Sequence, residues 1–271
     1  MDKKEKIIIA INSLSYFIIA YIVVFLTANL SQAVMASFHG ISTSIADTRL
    51  LFFASGNDWT FGSVKGIFIT KPLALLLLMA LSLLIYTKSI VYKGYLKLLF
   101  IWIFFHSALC FSSDIIWGGL MRQGIGHVLS WFYINDTGKL FFCLFGMSIL
   151  AISTKLFTRF FVLSGNIYFE KFNKKTKKTL LLYSFLFPLI GGEVMIFALG
   201  YPSIGIMEIL TLMVIIPMAY MVIINFGRKK ERFIAFETPN KIKIANVTFV
   251  IMVITFVAAK IIFSNKLINI S

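Results

Sequence analysis

The side chains in this sequence with the most chemistry to offer are the ionisable ones inside long apolar runs, because hydrocarbon penalises any charge that lacks a partner or water. Asp114, Glu193 and Glu208 are three such carboxylates, each in a different run. Asp114 lies four residues from the end of its run, Glu193 six from the end of the next but one, and Glu208 four from the start of the one after. At 1.5 Å per residue these positions sit roughly 6–9 Å below one boundary. Lys71 and Lys260 fall in the same layer. Three acids against two bases leave one negative charge, so one acid is expected to be protonated or to hold a cation. The turn Gly200–Ser203 predicts an antiparallel hairpin that makes Glu193 and Glu208 neighbours sharing a proton.

The run containing Glu193 reads FPLIGGEVM, in which Pro188 removes a backbone hydrogen bond and Gly191 and Gly192 permit bending or a close neighbour. Pro217 can kink the following helix in the same way. Helix packing accounts for such residues in most membrane helices. A kink beside a carboxylate nevertheless marks where a proton or cation site is expected.

His106, Cys110 and Asp114 lie at i, i+4 and i+8 in HSALCFSSD, one face of one helix. His106 and Cys110 are weak metal candidates. The three groups span about 12 Å of helix, too far to ligate one ion without a break, so the stripe is expected to form interhelical hydrogen bonds and no metal is assigned. HExxH, GxSxG and P-loop motifs are absent, and no cofactor is expected. His39 in FHG and His127 in GIGH stand singly in a helix–loop context, the only support for a degenerate intramembrane protease. Cys110 and Cys143 both lie inside apolar runs and read as packing residues.

The elements that must position these residues follow from composition. With 59% hydrophobic and 14% charged residues in 271, the chain has too little polar surface for a water-soluble globule. Seven runs are long enough for a helix to cross about 30 Å of hydrocarbon: 7–30, 67–86, 98–118, 140–163, 180–199, 204–225 and 244–263. The fold class expected is an all-α, polytopic transmembrane bundle of about seven spans forming one integral domain over residues 1–271. The first run, 24 residues behind MDKKEK, is too long for a cleaved signal and is expected to be retained.

Of the 26 Lys and Arg residues, 19 fall on one side of these spans. That asymmetry places the N-terminus in the cytoplasm and the C-terminus outside. The fourth span has the shortest continuous apolar stretch, the 15 residues Leu140–Thr154, and Lys155 and Arg159 beyond it are expected to snorkel to the inner head groups. Residues 31–66 form an external loop expected to lie as an interfacial helix or to re-enter the membrane. Basic cytoplasmic loops cover 164–179 and 226–243. The first, with Tyr168, Phe169 and Phe172 among lysines, is expected to lie on anionic lipid. Trp117, Trp131, Phe132 and Tyr133 are expected to form an outer aromatic belt.

The net charge of +15 accompanies apolar spans and not a polar domain, so the partner expected is an anionic membrane surface on the cytoplasmic side and not nucleic acid. The leading functional expectation is a non-catalytic integral subunit or accessory factor of a larger inner- or plasma-membrane assembly, with protein partners in the membrane. The alternative is a small proton- or cation-coupled transporter using Asp114, Glu193 and Glu208. The protease-like reading ranks third.

Overall fold

In the computed structural model, which describes residues 2–46, 48–89, 94–169, 173–201, 206–228, 242, 245–264 and 268–270, the chain is a mostly helical bundle. Helix α1 (Lys3–Phe38) starts at a capping box: the Asp2 carboxylate accepts from Lys3 N at 2.6 Å and Glu5 Oε2 accepts from Asp2 N at 2.9 Å. It stops at Gly40, whose φ of +72° is open to glycine at no steric cost. At 36 residues α1 is about 54 Å long, eight residues beyond the expected run and more than a bilayer needs.

The rest of the described chain comprises strands β1 (Ser42–Ala46) and β2 (Arg49–Phe53), then helices α2 (Phe61–Ser89), α3 (Leu96–Met121), α4 (Ile125–Trp131) and α5 (Asp136–Ser164). After these come α6 (Lys174–Thr179), a π-helical run Leu180–Leu186, α7 (Phe187–Gly200), α8 (Ile206–Arg228), α9 (Asn246–Ser264) and strand β3 (Ile268–Ile270). Six helices are long and apolar enough to cross a membrane, with α6, the π run and α7 counting as one. The apolar part of α9, Asn246–Ile262, is shorter.

Residues 42–53 correct one expectation. In place of an interfacial helix or a re-entrant segment they form an antiparallel hairpin, with Ser42 opposite Phe53 and Ala46 opposite Arg49. Strand β3 joins the other side of β1, Ile45 opposite Ile268, giving the order β2-β1-β3. The sheet marks one end of the bundle, called here the hairpin end; the start of α1 lies at the other.

Helices α1 and α3 are the buried pillars, and α2 and α5 turn apolar faces outward through Leu73, Leu77, Leu81, Leu140, Leu144 and Ile152. Trp102 of α3 anchors the core, stacked on Phe185 at 6.0 Å and met edge-on by Phe17 at 4.9 Å. A polar contact lies within it, in the turn before Pro188. Proline has no N–H to give the turn before it, which here ends the π-helical run. Ser13 Oγ of α1 donates to the Ser184 carbonyl at 2.6 Å, and Trp102 Nε1 donates to Ser13 Oγ at 3.1 Å. Three elements are thus tied through one carbonyl in the turn before the proline.

The described part of the 164–179 loop also differs from expectation. Tyr168 and Phe169 are buried against the bundle and not laid on a membrane surface, and Lys97 is buried with its ammonium donating to Asn166 Oδ1. Phe172 and most of 226–243 lie outside the described residues. Trp117 is no belt residue: its Nε1 donates to Leu210 O of α8 at 2.8 Å. Trp131, Phe132 and Tyr133 are exposed at the hairpin end.

A Cβ added to Gly192 would run into the Phe17 ring, whereas one on Gly191 would meet only Leu14 Cδ1 at 3.9 Å. Gly192→Ala should therefore destabilise by about 1–3 kcal/mol through overpacking. Gly191→Ala should be neutral or stabilising by up to about 1 kcal/mol, the gain in helix propensity. Thermal unfolding in detergent compares them, and equal shifts would contradict the α1–α7 contact.

Candidate functional site

Five helices enclose a cavity of about 140 Å³ toward the hairpin end. Helix α3 lines it with His106, Cys110, Ser113 and Asp114, so the stripe at i, i+4 and i+8 does face one space. Helix α1 adds Tyr21, Phe25 and Asn29 at the same spacing, α2 adds Lys71, α7 adds Glu193, and α8 adds Thr211. Of the five residues placed in an ionisable layer by their spacing, three meet here: Lys71, Asp114 and Glu193.

Asp114 is 2% exposed and pairs with Lys71, Nζ to Oδ1 3.6 Å. Neither of its oxygens has a hydrogen bond among the described residues. Burying a carboxylate with one ion pair and no hydrogen bonds is costly, because attraction alone repays little of the lost hydration. The loop after α3 presses on this group. Arg122 has φ +55° and Gly124 φ +54°, and a Cβ on Gly124 would collide with Asp114 Oδ1.

Glu193 is half-buried, and among the described residues no group hydrogen-bonds or ion-pairs with it. His106 is 1% exposed, caged by the Phe17 ring at 4.4 Å and the Tyr21 ring at 5.7 Å. Its Nε2 has no hydrogen-bond partner among the described residues. Ser113 and Thr211 hydroxyls bond each other at 3.0 Å across α3 and α8.

Lys260 is not in this cavity. Its ammonium donates to the carbonyls of Ala198, Leu199 and Tyr201 at 3.0, 3.1 and 2.6 Å, capping the end of α7 with all three protons. The side chain of Glu208 lies outside the described residues. The expected α7–α8 hairpin is also corrected. Among the described residues α7 packs on α1 and α9 while α8 packs on α3 and α5. Each helix finds a larger partner than the other, so the short connection does not bring them together. Pro217 lies in the interior of α8.

A second, wider recess at the hairpin end shares Asn29, Thr48, Lys71 and Asp114 with the cavity and continues to Arg49, Arg122 and His127. Desolvation beside Phe68, whose ring lies 4.7 Å away, holds the His127 imidazole below its usual range. The positive charge of this vestibule near neutral pH is therefore that of Arg49, Lys71 and Arg122. No three His, Cys, Asp or Glu side chains converge as a metal site among the described residues. Asn29, Ser113 and Thr211 were not singled out by sequence reasoning, since lone amides and hydroxyls are ordinary in membrane helices; the helical spacing of Asn29 from Phe25 and Tyr21 was the available signal.

Compared with protein-family models, curated proteins and solved structures, the chain matches none. Its function must be argued from the site.

The ion pair gives a direct test. Lys71→Met leaves the Asp114 carboxylate uncompensated and should cost about 3–5 kcal/mol, with much of the loss recovered in the double variant Lys71→Met/Asp114→Asn. The loss in the single variant should shrink as pH falls, because protonating Asp114 removes the stranded charge. Thermal unfolding across pH checks both, and a double variant no more stable than the single would overturn the pairing.

Proposed function

We propose that this protein is a seven-span inner- or plasma-membrane protein that admits a proton or small cation from the outer side to Glu193, as part of a coupled transport step. The orientation comes from the basic residues: the start of α1 inside, and the hairpin and β3 outside. Helix α9, at 19 residues, is about 28 Å long and serves as the seventh span. The exposed Lys155 and Arg159 then face anionic inner head groups.

One observation supports the reading above all. The cavity gathers two carboxyl groups and one ammonium, and the ammonium is taken by Asp114. Glu193 is left without a protein counter-charge among the described residues, and such a group is stable only when it carries a proton or faces a cation. Because the vestibule reaches Asp114 and Lys71 from the hairpin end, exchange with the outer solution has a route. Pro188 and Gly192 stand within about a turn and a half of Glu193, where a helix lacking a backbone bond bends at low cost.

The accessory-subunit reading stays a proposal founded on the lack of a soluble domain or catalytic motif. A reconstitution experiment separates the two. Purified protein in liposomes should show proton or alkali-cation flux by an entrapped dye, and Glu193→Gln should lower it by about tenfold, the effect of roughly 1.4 kcal/mol on a single site. Flux no greater than in empty liposomes, together with stoichiometric co-purifying proteins, would reject transport in favour of a subunit.

A further inference from the structure

The two helices flanking Glu193 part company, and the gap between them has its own chemistry. An apolar groove lined by Val194, Phe197, Ala198, Tyr201 and Leu212 runs between α7 and α8, and it includes Glu193. Glu193, Phe197 and Leu212 also line the polar cavity. Val194 and Tyr201 are two-thirds exposed, at 66% and 68%, on the surface that meets lipid in a seven-span arrangement. One carboxyl group therefore stands at the junction of a polar chamber and a slot open to the side.

We propose that the cavity holds the protonated amine head of a single-chain amphiphile whose alkyl chain lies in the α7–α8 groove and reaches the bilayer. This deepens the cation-site reading and rests on it. The chamber favours an ammonium for three reasons. Its one ammonium, Lys71, is paired with Asp114, and Glu193 has no cation among the described residues, so charge complementarity calls for a cation and repels an anionic head. The groups in it with atoms lacking a hydrogen bond among the described residues offer acceptors: the Asp114 carboxylate, whose Oδ1 faces Lys71 at 3.6 Å, and the His106 ring at Nε2. An ammonium brings three donors and no acceptor, the complement of that set.

Size then argues for a chain that leaves the chamber. At about 140 Å³ the cavity is well below the roughly 300–1,000 Å³ of ordinary ligand sites, so it accommodates a head group and a few methylenes. A longer apolar chain has an apolar exit beside Glu193, the groove. A hydrated inorganic cation makes no use of Val194, Phe197 or Ala198.

Equilibrium binding of radiolabelled dodecylamine to the full chain in nanodiscs, corrected by empty nanodiscs, tests this, with ethylamine and dodecyl sulfate as competitors. Dodecylamine should saturate one site at least about tenfold more tightly than ethylamine, and dodecyl sulfate should not displace it. Glu193→Gln should weaken both amines about tenfold. Val194→Trp, at an exposed position in the groove, should weaken dodecylamine by a similar factor and leave ethylamine unchanged; monodisperse elution and an unaltered melting temperature show that each variant folds. If ethylamine binds through Glu193 and dodecylamine binds no tighter, or Val194→Trp changes neither, the lateral site is rejected and the cation site stands. If neither amine binds, or dodecyl sulfate competes equally, the chamber is not an amine site at all; an intact Glu193-dependent ion flux would then confine the failure to the amphiphile proposal, and its absence would remove both.

Discussion

The carbonyl of Ser184 is the point on which the bundle turns. Pro188, four residues on, has no N–H to give the turn before it, and in an apolar interior an unmet carbonyl costs several kcal/mol. Ser13 meets it from α1, and Trp102 meets Ser13 from α3. A hydroxyl can accept one bond while donating another, so a single serine holds three elements in register. The aromatic cluster around Trp102 fills the space these contacts define: Phe17, Phe105, Phe157, Phe161 and Phe185 all lie within 6.0 Å of its ring centroid. The contact also sets where α7 goes. Seated on α1 with Gly192 against Phe17, it cannot also lie along α8, which packs on α3 and α5. The slot beside Glu193 follows from that choice.

The cavity inherits its rigidity from the same pillars. His106 is one turn beyond Trp102, and Asp114 two further turns along α3, so the positions of both are fixed once Trp102 is. Lys71 comes from α2, just before Pro72, and reaches Asp114 across the interface of α2 and α3. On its open side the ion pair is covered by the loop at Gly124, where only a residue without Cβ clears the carboxylate. Between these fixed walls, the Glu193 carboxyl is the ionisable group without a protein partner among the described residues.

The parts of this arrangement legible in the sequence are those governed by hydropathy along one segment. Each apolar run lies on a helix, and Lys71, Asp114 and Glu193, grouped by counting 1.5 Å per residue, line one cavity. What escaped depends on partners distant in sequence. Strands β1 and β2 alternate weakly, and the run LLFF resembles a membrane-seeking patch until β1 pairs with it; β1 in turn is completed by Ile268–Ile270, more than 200 residues away. Lys260, expected beside the carboxylates, instead gives its three protons to the carbonyls at the end of α7. Trp117 went the same way, because an indole N–H buried between helices takes the nearest carbonyl, that of Leu210. The α7–α8 hairpin failed because a short connection constrains only its ends, whereas packing is decided along the whole length of each helix.

These corrections separate the polar residues of the bundle into two kinds. Lys260, Trp117 and Ser13 have their hydrogen bonds completed by backbone carbonyls, and Lys97 has an Asn166 partner. Groups so satisfied hold helices together and have nothing to give a ligand. Asp114 and His106 are as deeply buried, but with atoms left unmet among the described residues, and those atoms open onto the chamber that Glu193 also lines. A folded protein bears that cost at few places, because hydrocarbon offers no water to reduce it. Where unmet acceptors and an unpaired carboxyl converge on one space, the missing donor is best sought outside the chain. Position along the apolar runs did not distinguish Lys260 from Lys71, nor composition His106 from a packing residue; the contacts each side chain makes do.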